Sequence, residues 1–286
     1  MENCNICTGK NNFVLHKDSI FRYNICKSCG HVFQSGRKTQ EYYNSIPYTL
    51  GQESNDKIMH KKYDAHCKNR ANYIYDFIKK FIVNIPNSIL DIGCGYGGVL
   101  FYLGNNLKTK NLTGIAPDYD ENTFSKYNEI NFIKSNYEFP ISQKYELIIL
   151  VHSLEHFLSP VKCLMTAREN LTDDGILYIE VPNFYWEPFI INQIFTPVHI
   201  SYFSKNDILN LIEYCGFEIL KIKESKFWGN IKLVAKKSTK KYYDENIFAL
   251  SKENWILKLI KWKLNKIFMY PIYKIIKNLF RIGANS

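Results

Sequence analysis

The sequence contains no uninterrupted apolar run that approaches the ~18 residues needed to span a bilayer. Its first residues, Met1–Asn5, lack the basic and then apolar segments of a secretory signal peptide. Eight cysteines without such a signal favour a reducing compartment. We therefore expect a cytoplasmic protein.

Acidic residues are scarce in one part of the chain, its carboxyl-terminal segment. Residues 236–286 hold twelve lysines and arginines against three acids, which is +9 of the chain's total of +10. The remaining residues are therefore close to neutral. This distribution does not predict a basic body that binds nucleic acid. The length of 286 residues and the 46% hydrophobic content are enough for one main domain with additions.

Half of the cysteines form two Cys-x-x-Cys pairs that are separated by 18 residues: Cys4, Cys7, Cys26 and Cys29. Two thiolate pairs at this spacing can close a tetrahedral zinc site. Because four thiolates leave no open position for a catalytic water, we expect the metal to be structural. The segment between the pairs predicts a β-hairpin. His16 and His31 are alternative ligands, and four buried, unligated cysteines are the competing interpretation.

One stretch combines a short apolar run, Ile89–Ile92, with glycines at alternate positions: Gly93, Gly95 and Gly97. The run has the length of a buried parallel strand, and a helical pattern resumes at Val99. Glycines let the backbone turn sharply and approach a ligand, and the following helix N-terminus offers amide groups to it. An ordinary glycine-rich turn and a dinucleotide-binding loop remain alternatives on these residues alone.

Strand and helix patterns alternate through the rest of the chain. Buried strands are predicted at residues 112–115, 131–134, 146–151 and 175–181, and helices at 56–83, 160–171 and 206–215. Two more strands, at 217–222 and 230–235, form an antiparallel edge. This order predicts an α/β, Rossmann-like, doubly wound and mostly parallel seven-stranded sheet with an antiparallel edge strand.

The order of these motifs resembles the class I S-adenosylmethionine-dependent methyltransferases over roughly residues 60–235. Asp91–Gly97 is similar to the family's first motif, and Leu154–His156 is similar to its Leu-Glu-His signature. The stretch 199–204 resembles one branch that carries an amino-terminal four-cysteine zinc module and includes sugar methyltransferases. The resemblance implies a zinc-binding module over residues 1–40 and the methyltransferase domain over 41–240. The concentration of basic residues and the helical pattern predict a basic amphipathic helical tail over 241–286.

The resemblance also implies S-adenosylmethionine as the cofactor, held by Asp91, Gly93, Gly95, Gly97, Asp118, Asn136 and His152. Family members usually carry an acidic residue at the end of the second strand, where it accepts hydrogen bonds from the ribose. Ala116 stands there in this chain, and we expect Asp118 to replace the missing carboxylate. Asn136, or equally Ser135, stands where the family contacts the adenine.

His199 and His156 are the candidate general bases, because a histidine of unperturbed pKa ~6.5 is largely neutral in the cytoplasm. Either histidine can instead be purely structural. We expect O-methylation of a sugar, nucleotide-linked or in a surface-polysaccharide precursor. Sugar C-methyltransferases of this branch resemble Tyr-x-Glu-His where this chain has Thr-Pro-Val-His at 196–199, so the machinery for C-methylation is only partly present and C-methylation is the alternative. A non-catalytic scaffold that retains the fold is another.

Two further segments carry expectations about partners. The aromatic stretch 183–197 suits contact with a sugar, and a hydrophobic lid is the alternative. Residues 245–286 predict two amphipathic helices divided by Pro271, with tryptophans among lysines. Such helices fit the inner surface of an anionic membrane, or they pack on the catalytic domain or on a second subunit.

Overall fold

The computed structural model of the chain has an α/β architecture that is built on two sheets. The structure describes residues 3–18, 20–36, 57–117, 127–135, 143–185, 195–196, 198–224, 229–239 and 255–264. Among these residues, no helix is both long enough and apolar enough to cross a membrane. The predicted domain boundaries near residues 40 and 240 lie outside the described residues and stay predictions.

The elements of the described residues are numbered along the chain. The strands are β1 (Asn12–Lys17), β2 (Arg22–Cys26), β3 (Val32–Ser35), β4 (Ser88–Ile92), β5 (Asn111–Ala116), β6 (Ile130–Lys134), β7 (Tyr145–Val151), β8 (Leu171–Pro182), β9 (Ser201–Tyr202), β10 (Phe217–Glu224) and β11 (Asn230–Lys237). The α-helices are α1 (Lys57–Ile78), α2 (Gly98–Leu107), α3 (Pro160–Asn170), α4 (Lys205–Tyr214) and α5 (Trp255–Leu264).

The larger sheet has seven strands in the order β10-β11-β8-β7-β4-β5-β6. The five strands from β8 to β6 are parallel. Strand β11 is antiparallel to both of its neighbours. The predicted seven-stranded, mostly parallel sheet is therefore confirmed. One detail differs, because the reversed strand lies one position inside the edge and β10 forms the edge itself.

Helices cover both faces of this sheet, since each central strand is apolar on both sides. Ile89 of β4 packs in one cluster with Ile74 of α1 and with residues of α2. Its neighbour Leu90 points to the other face and packs in a second cluster with Leu164 of α3 and Leu211 of α4. The alternation along β4 therefore places α1 and α2 on one face and α3 and α4 on the other, which is a doubly wound arrangement.

The smaller sheet has the order β1-β2-β3-β9 and joins the three amino-terminal strands to a short strand of the methyltransferase-like region. Strands β1 and β2 form the antiparallel hairpin that was predicted between the cysteine pairs. Strand β3 then pairs with β9, with Val32 opposite Tyr202 and Phe33 opposite Ser201. The amide of Gln34 extends this pairing by donating to the carbonyl oxygen of Ile200 at 2.9 Å. The amino-terminal module is thus bonded, strand to strand, to the segment that follows His199.

Strand β8 is longer than the sequence pattern predicts. It begins at Leu171 and not at Gly175, and the preceding helix ends at Asn170. Leu171 pairs with Tyr145, the polar residues 172–174 follow it, and the register shifts before Leu147. Pairing with β7 therefore extends the strand through a segment whose own composition is typical of a turn.

Helix α5 lies in the first half of the predicted tail, and it packs on the body of the protein. Lys258 is fully buried, and its ammonium group contacts Asp207 and Ser204 at the start of α4. Leu259 packs against a cluster that includes Tyr23 and Tyr202. The second predicted helix, beyond Pro271, lies outside the described residues.

Candidate active site

The glycine loop follows β4 at the carboxyl edge of the large sheet, where parallel α/β sheets bind ligands. Gly93 has a φ of 82°, and a Cβ there would lie 2.5 Å from the Cβ of Ser153, so only glycine fits against the end of β7. At Gly95 the direction of a Cβ is open, with no atom of the described residues within 4 Å. The loop is tied to β5 by amide hydrogen bonds from Gly93 and Cys94 to the carbonyl oxygen of Ile115. These contacts hold an open backbone surface next to Ser153.

Asp91 is the charged residue of β4, and it is buried on the same face as Ile89. Its Oδ1 atom has no hydrogen-bond partner among the described residues. Burial raises the pKa of Asp91 to about 8. A buried carboxyl group without a donor costs stability unless a ligand supplies the donor. Asp91 is therefore placed to receive a cationic or N–H group at the loop.

The arrangement around the loop fits S-adenosylmethionine. Helix α2 begins directly after Gly97, and no described side chain caps its first amide groups, which can therefore receive a carboxylate. The unmatched oxygen of Asp91 suits the ammonium group at the other end of the same amino-acid moiety. The open direction at Gly95 leaves room for the backbone to contact this moiety.

The expected ribose and adenine contacts are described only in part. Ala116 ends β5 and is buried, so it offers no polar side chain to a ribose. Asp118 and Asn136 lie outside the described residues, and their proposed contacts stay predictions. Ser135, the equal contender for the adenine contact, donates its amide to the carbonyl oxygen of Ala116 at 3.3 Å. It therefore lies beside the expected ribose position.

His152 follows β7 and belongs to a buried polar network. Its backbone has a φ of 53°, which is uncommon for a residue other than glycine, and its amide donates to the carbonyl oxygen of Glu180. Its Nδ1 atom lies 3.5 Å from Glu155 Oε1, and its Nε2 atom lies 3.4 Å from Glu180 Oε1. Although burial opposes the charge, these two carboxylates raise the pKa of His152 to about 9. The His152 ring is therefore a cation that lies between the carboxylates of Glu155 and Glu180.

Glu180 is the centre of this network, and its role was not predicted from the sequence. Arg70 of α1 donates to it at 3.0 Å, Asn230 of β11 at 2.7 Å and the Tyr178 hydroxyl at 3.0 Å. Burial opposes its ionisation, but the charge of His152 and its neighbours holds the pKa of Glu180 well below the usual range. A carboxylate inside the apolar run at residues 176–181 of β8 was the signal that could have identified it.

His156 and His199, the two candidate bases, meet across the site with their ring centroids 5.0 Å apart. The Nδ1 atom of His156 lies 2.8 Å from the carbonyl oxygen of Val198. Because a carbonyl oxygen only accepts, Nδ1 carries the proton and Nε2 keeps a lone pair. Burial is the main reason that the pKa of His156 is lowered, so this imidazole is neutral at neutral pH.

Glu155 lies beside both histidines and is 1% exposed. Its Oε1 atom is 3.9 Å from Nε2 of His156, and neither of its oxygens accepts a hydrogen bond in the part of the chain that the structure describes. Burial opposes its charge, but the charged ring of His152 beside it holds the pKa of Glu155 down at about 2. Three potential metal-ligand atoms lie within 4.8 Å of one another here, one each from Glu155, His156 and His199.

The four cysteines of the two Cys-x-x-Cys pairs are brought together, and all are free thiols. The Sγ atoms of Cys4 and Cys29 are 3.7 Å apart, and those of Cys7 and Cys26 are 3.5 Å apart. All four sulfur atoms lie within 4.8 Å of one another. This is a cluster that a tetrahedral metal ion can occupy after a small contraction.

The fold and the glycine loop define the class I methyltransferase architecture. Residues 63–222, more than half of the chain, match the family model described as a methyltransferase domain. The chain belongs to this methyltransferase family.

Curated relatives match over part of their length. The (S)-coclaurine N-methyltransferase of Papaver somniferum is 26% identical over 114 residues, which cover 36% of this chain and 32% of that protein. The (S)-tetrahydroprotoberberine N-methyltransferase of Eschscholzia californica is 25% identical over 101 residues, which cover 32% of this chain and 29% of that protein. The chain thus spans about a third of the length of the curated relatives that it matches.

Solved structures share the fold at low sequence identity. The CcbJ methyltransferase from Streptomyces caelestis superposes with a TM-score of 0.53 at 12% identity, covering 71% of this chain and all of that one. The plantazolicin methyltransferase BpumL, solved with S-adenosylhomocysteine (SAH), has a TM-score of 0.52 at 19% identity, covering 70% of this chain and 96% of that one. These likenesses establish the fold.

Proposed function

We propose that this chain transfers the methyl group of S-adenosylmethionine to a hydroxyl oxygen of a sugar, nucleotide-linked or in a surface-polysaccharide precursor. The observation that carries the proposal is the contact between Gly93 and Ser153. It brings the glycine loop directly against the turn that bears His156. A methyl donor held at the loop and a hydroxyl held near the histidine pair would then meet at one edge of the sheet. The choice of a sugar rests on the resemblance of the 199–204 motif to sugar methyltransferases.

On the donor side, the chain has to bind S-adenosylmethionine and orient its methyl group toward the acceptor. S-Adenosylmethionine, when bound, supplies a methyl group that its sulfonium charge already activates. Asp91 would hold the ammonium group, and the amides at the start of α2 would hold the carboxylate. Asp118 is proposed to accept hydrogen bonds from the ribose, and Asn136 is proposed to contact the adenine.

On the acceptor side, the histidine pair would manage the hydroxyl proton. The Nε2 atom of His156 keeps a lone pair because Nδ1 donates to Val198. His199 is the second candidate, and its ring faces that of His156. A neutral imidazole within reach of the hydroxyl can accept its proton as the oxygen bonds to the methyl carbon.

Cofactor binding and acceptor choice need separate measurements. Calorimetry with SAH should show one site, and absence of binding would refute the enzyme proposal in favour of a scaffold that retains the fold. A panel of nucleotide sugars, read by a mass gain of one methyl group, then tests the acceptor. His156→Ala and His199→Ala should each slow turnover while SAH still binds. Near-full rates in both variants would remove the histidine pair from the mechanism.

Methyl transfer to nitrogen is a second candidate, because the two curated relatives described above are named N-methyltransferases. Adding amines and amino sugars to the same panel distinguishes it. Loss of deuterium from a labelled carbon during turnover would instead identify C-methylation.

A structural zinc ion in the cysteine cluster completes the proposal. The four Sγ atoms converge, and four thiolates are a typical structural zinc set. Because β3 continues from Cys29 to the pairing with β9, the ion would brace the loop that carries His199. Substitution with Co²⁺ should give the intense thiolate charge-transfer absorption of a sulfur-rich site. Cys26→Ser should weaken it and Cys163→Ser should not, whereas equal spectra in both variants would refute the site.

A further inference from the structure

Glu155 lies beside the histidine pair, and its carboxylate oxygens are available as ligands. Its carboxylate is buried, and both oxygens are without a hydrogen-bond partner within the described residues. The nearest nitrogen atoms are Nδ1 of His152 at 3.5 Å and Nε2 of His156 at 3.9 Å. Both separations exceed a hydrogen bond. The His152 cation balances part of the charge of Glu155, but both carboxylate oxygens keep lone pairs that can bind a further cation.

The Nε2 atom of His156, which faces Glu155, carries a lone pair and no proton. Val198 fixes the tautomer, because its carbonyl oxygen can only accept from Nδ1. Two acceptors, Nε2 and Oε1, therefore face each other. A histidine whose second nitrogen donates to a backbone carbonyl is typical of metal ligation, since that bond orients the ring.

We propose that Glu155, His156 and His199 form a second metal site, distinct from the cysteine cluster, that binds a divalent first-row transition ion. Two imidazoles and one carboxylate favour ions such as Mn²⁺, Fe²⁺ or Zn²⁺ over Mg²⁺ or Ca²⁺. The donor atoms lie within 4.8 Å of one another, and bonds of about 2.0–2.2 Å require them to approach by roughly 1 Å. Three protein ligands leave coordination positions open.

The open positions give the site a role, which rests on the proposed methyl transfer to a hydroxyl. The acceptor oxygen binds the ion, and this lowers the pKa of the hydroxyl, as it does for metal-bound water. The O–H proton leaves to solvent, and the oxygen lone pair forms the bond to the methyl carbon. In this mechanism His156 and His199 are ligands and not bases.

Binding of Mn²⁺, followed by electron paramagnetic resonance, tests the site without requiring turnover. The full chain is first given one equivalent of Zn²⁺ to fill the cysteine cluster, which Mn²⁺ does not favour. We expect one Mn²⁺ per chain. Glu155→Gln and His199→Ala should each weaken binding by about tenfold or more. Glu218→Gln, an exposed glutamate paired with Lys236, is the matched control and should bind as the unaltered chain does.

SAH binding, measured on the same samples, monitors folding and separates this proposal from the preceding one. A chain that binds SAH but no Mn²⁺ overturns the metal site and leaves the methyltransferase proposal standing. Glu155→Gln and His199→Ala that both bind Mn²⁺ as the unaltered chain does would also overturn it. Bound Mn²⁺ without SAH binding would instead count against the methyltransferase proposal.

An independent observation concerns α5, which buries a lysine and exposes several aliphatic side chains. The helix buries Lys258 completely and exposes Leu257 by 60%, Ile260 by 46% and Leu264 by 48%. These three positions share one face because they are spaced by three and four residues. Lys263, beside this face, is exposed. Helix α5 is thus fixed to the body by one side and presents an aliphatic face with a lysine at its border.

We infer that this face of α5 binds the surface of an anionic membrane. The charge supports lipid as the occupant, since residues 236–286 carry +9 of the chain's +10. A fixed helix with exposed aliphatic side chains beside lysines matches the interfacial layer, where apolar groups enter the headgroup region and cations meet the phosphates.

Co-sedimentation with vesicles tests this surface on the full chain. We expect binding to phosphatidylglycerol-containing vesicles, and several-fold less to pure phosphatidylcholine vesicles. The double variant Leu257→Gln with Ile260→Gln should reduce pelleting several-fold, whereas Ile85→Gln, a 58% exposed aliphatic between α1 and β4, should not. No pelleting, or equal pelleting of both variants, refutes the inference. A dimer in gel filtration that the double variant abolishes, without lipid binding, assigns the face to a second copy.

Discussion

The ammonium group of Lys258 lies 2.5 Å from Oδ2 of Asp207, and both side chains are buried. Asp207 also accepts a hydrogen bond from the amide of Ser204 at 2.8 Å, so the same carboxylate caps α4 and anchors α5. Nδ1 of His31, from the cysteine module, lies 3.8 Å from this oxygen. One carboxylate therefore links the tail, the catalytic domain and the amino-terminal module.

Removing the lysine should be strongly destabilising. Lys258→Ala leaves Asp207 buried without its cation, and we expect a loss of about 3–5 kcal/mol of unfolding free energy. Lys263→Ala, on the exposed side of the same helix, should change it by less than about 0.5 kcal/mol. Urea titration of the two variants provides the comparison. Equal midpoints would show that α5 does not depend on this pair.

His152 should make stability fall as the solution becomes alkaline. Its pKa rises on folding from 6.5 to about 9, so its contribution is fully present below pH 6.5 and disappears as the pH passes about 9. At pH 6, His152→Gln should lose on the order of 2–3 kcal/mol. The loss should shrink toward pH 9. Glu155 and Glu180 do not contribute to this slope, because their lowered pKa values make their stabilisation constant above the ordinary glutamate pKa and reduce it only in acid. Thermal unfolding across this range tests the slope, and a difference that is constant with pH would contradict it.

Asp91→Asn should separate stability from cofactor binding. Folding raises the pKa of Asp91 from 3.8 to about 8, so the native state is penalised relative to the unfolded one as the pH rises above 3.8. The substitution should therefore stabilise the free chain at neutral pH, by on the order of 2–4 kcal/mol.

The same substitution removes the proposed partner of the ammonium group, and it should weaken S-adenosylmethionine binding about tenfold. Calorimetry and thermal unfolding are the measurements. Asp173→Asn, at an exposed aspartate paired with Lys237, is the control. An Asp91→Asn variant that is less stable than the unaltered chain and binds S-adenosylmethionine normally would contradict both expectations.

Asp118→Ala tests whether a displaced acid replaces the one missing at Ala116. A carboxylate that accepts hydrogen bonds from a ribose contributes about 1.5–3 kcal/mol per bond. We therefore expect S-adenosylmethionine affinity to fall by one decade or more in calorimetry. Unchanged affinity would mean that the ribose is bound without this carboxylate.

Local sequence patterns were sufficient to predict the seven-stranded sheet and the glycine loop at its edge. Ile89–Ile92 and the strand before His152 are short apolar runs, and such runs predict buried parallel strands whatever surrounds them. The positions of Gly93 and Ser153 follow from this, because the carboxyl ends of neighbouring parallel strands meet at one edge.

Contacts between distant segments could not be predicted in the same way. Nothing in Val32–Ser35 or in Ser201–Tyr202 identifies the other as its partner, since two or four residues of strand pattern fit many neighbours. The burial of Lys258 was likewise unexpected, because the pattern of α5 assigns lysines to the solvent side. The role of Glu180 could not be predicted from the sequence, because its partners Arg70 and Asn230 come from the distant elements α1 and β11.

Strand β9 is only two residues long, yet its pairing with β3 is continuous with the sheet of the cysteine module. The region shared with the methyltransferase family, residues 63–222, contains β9 but neither β3 nor Lys258. A fragment cut at those limits would expose the edge of β9 and leave Asp207 without its counter-ion. The part of the chain that defines the family is therefore smaller than the part that must fold together.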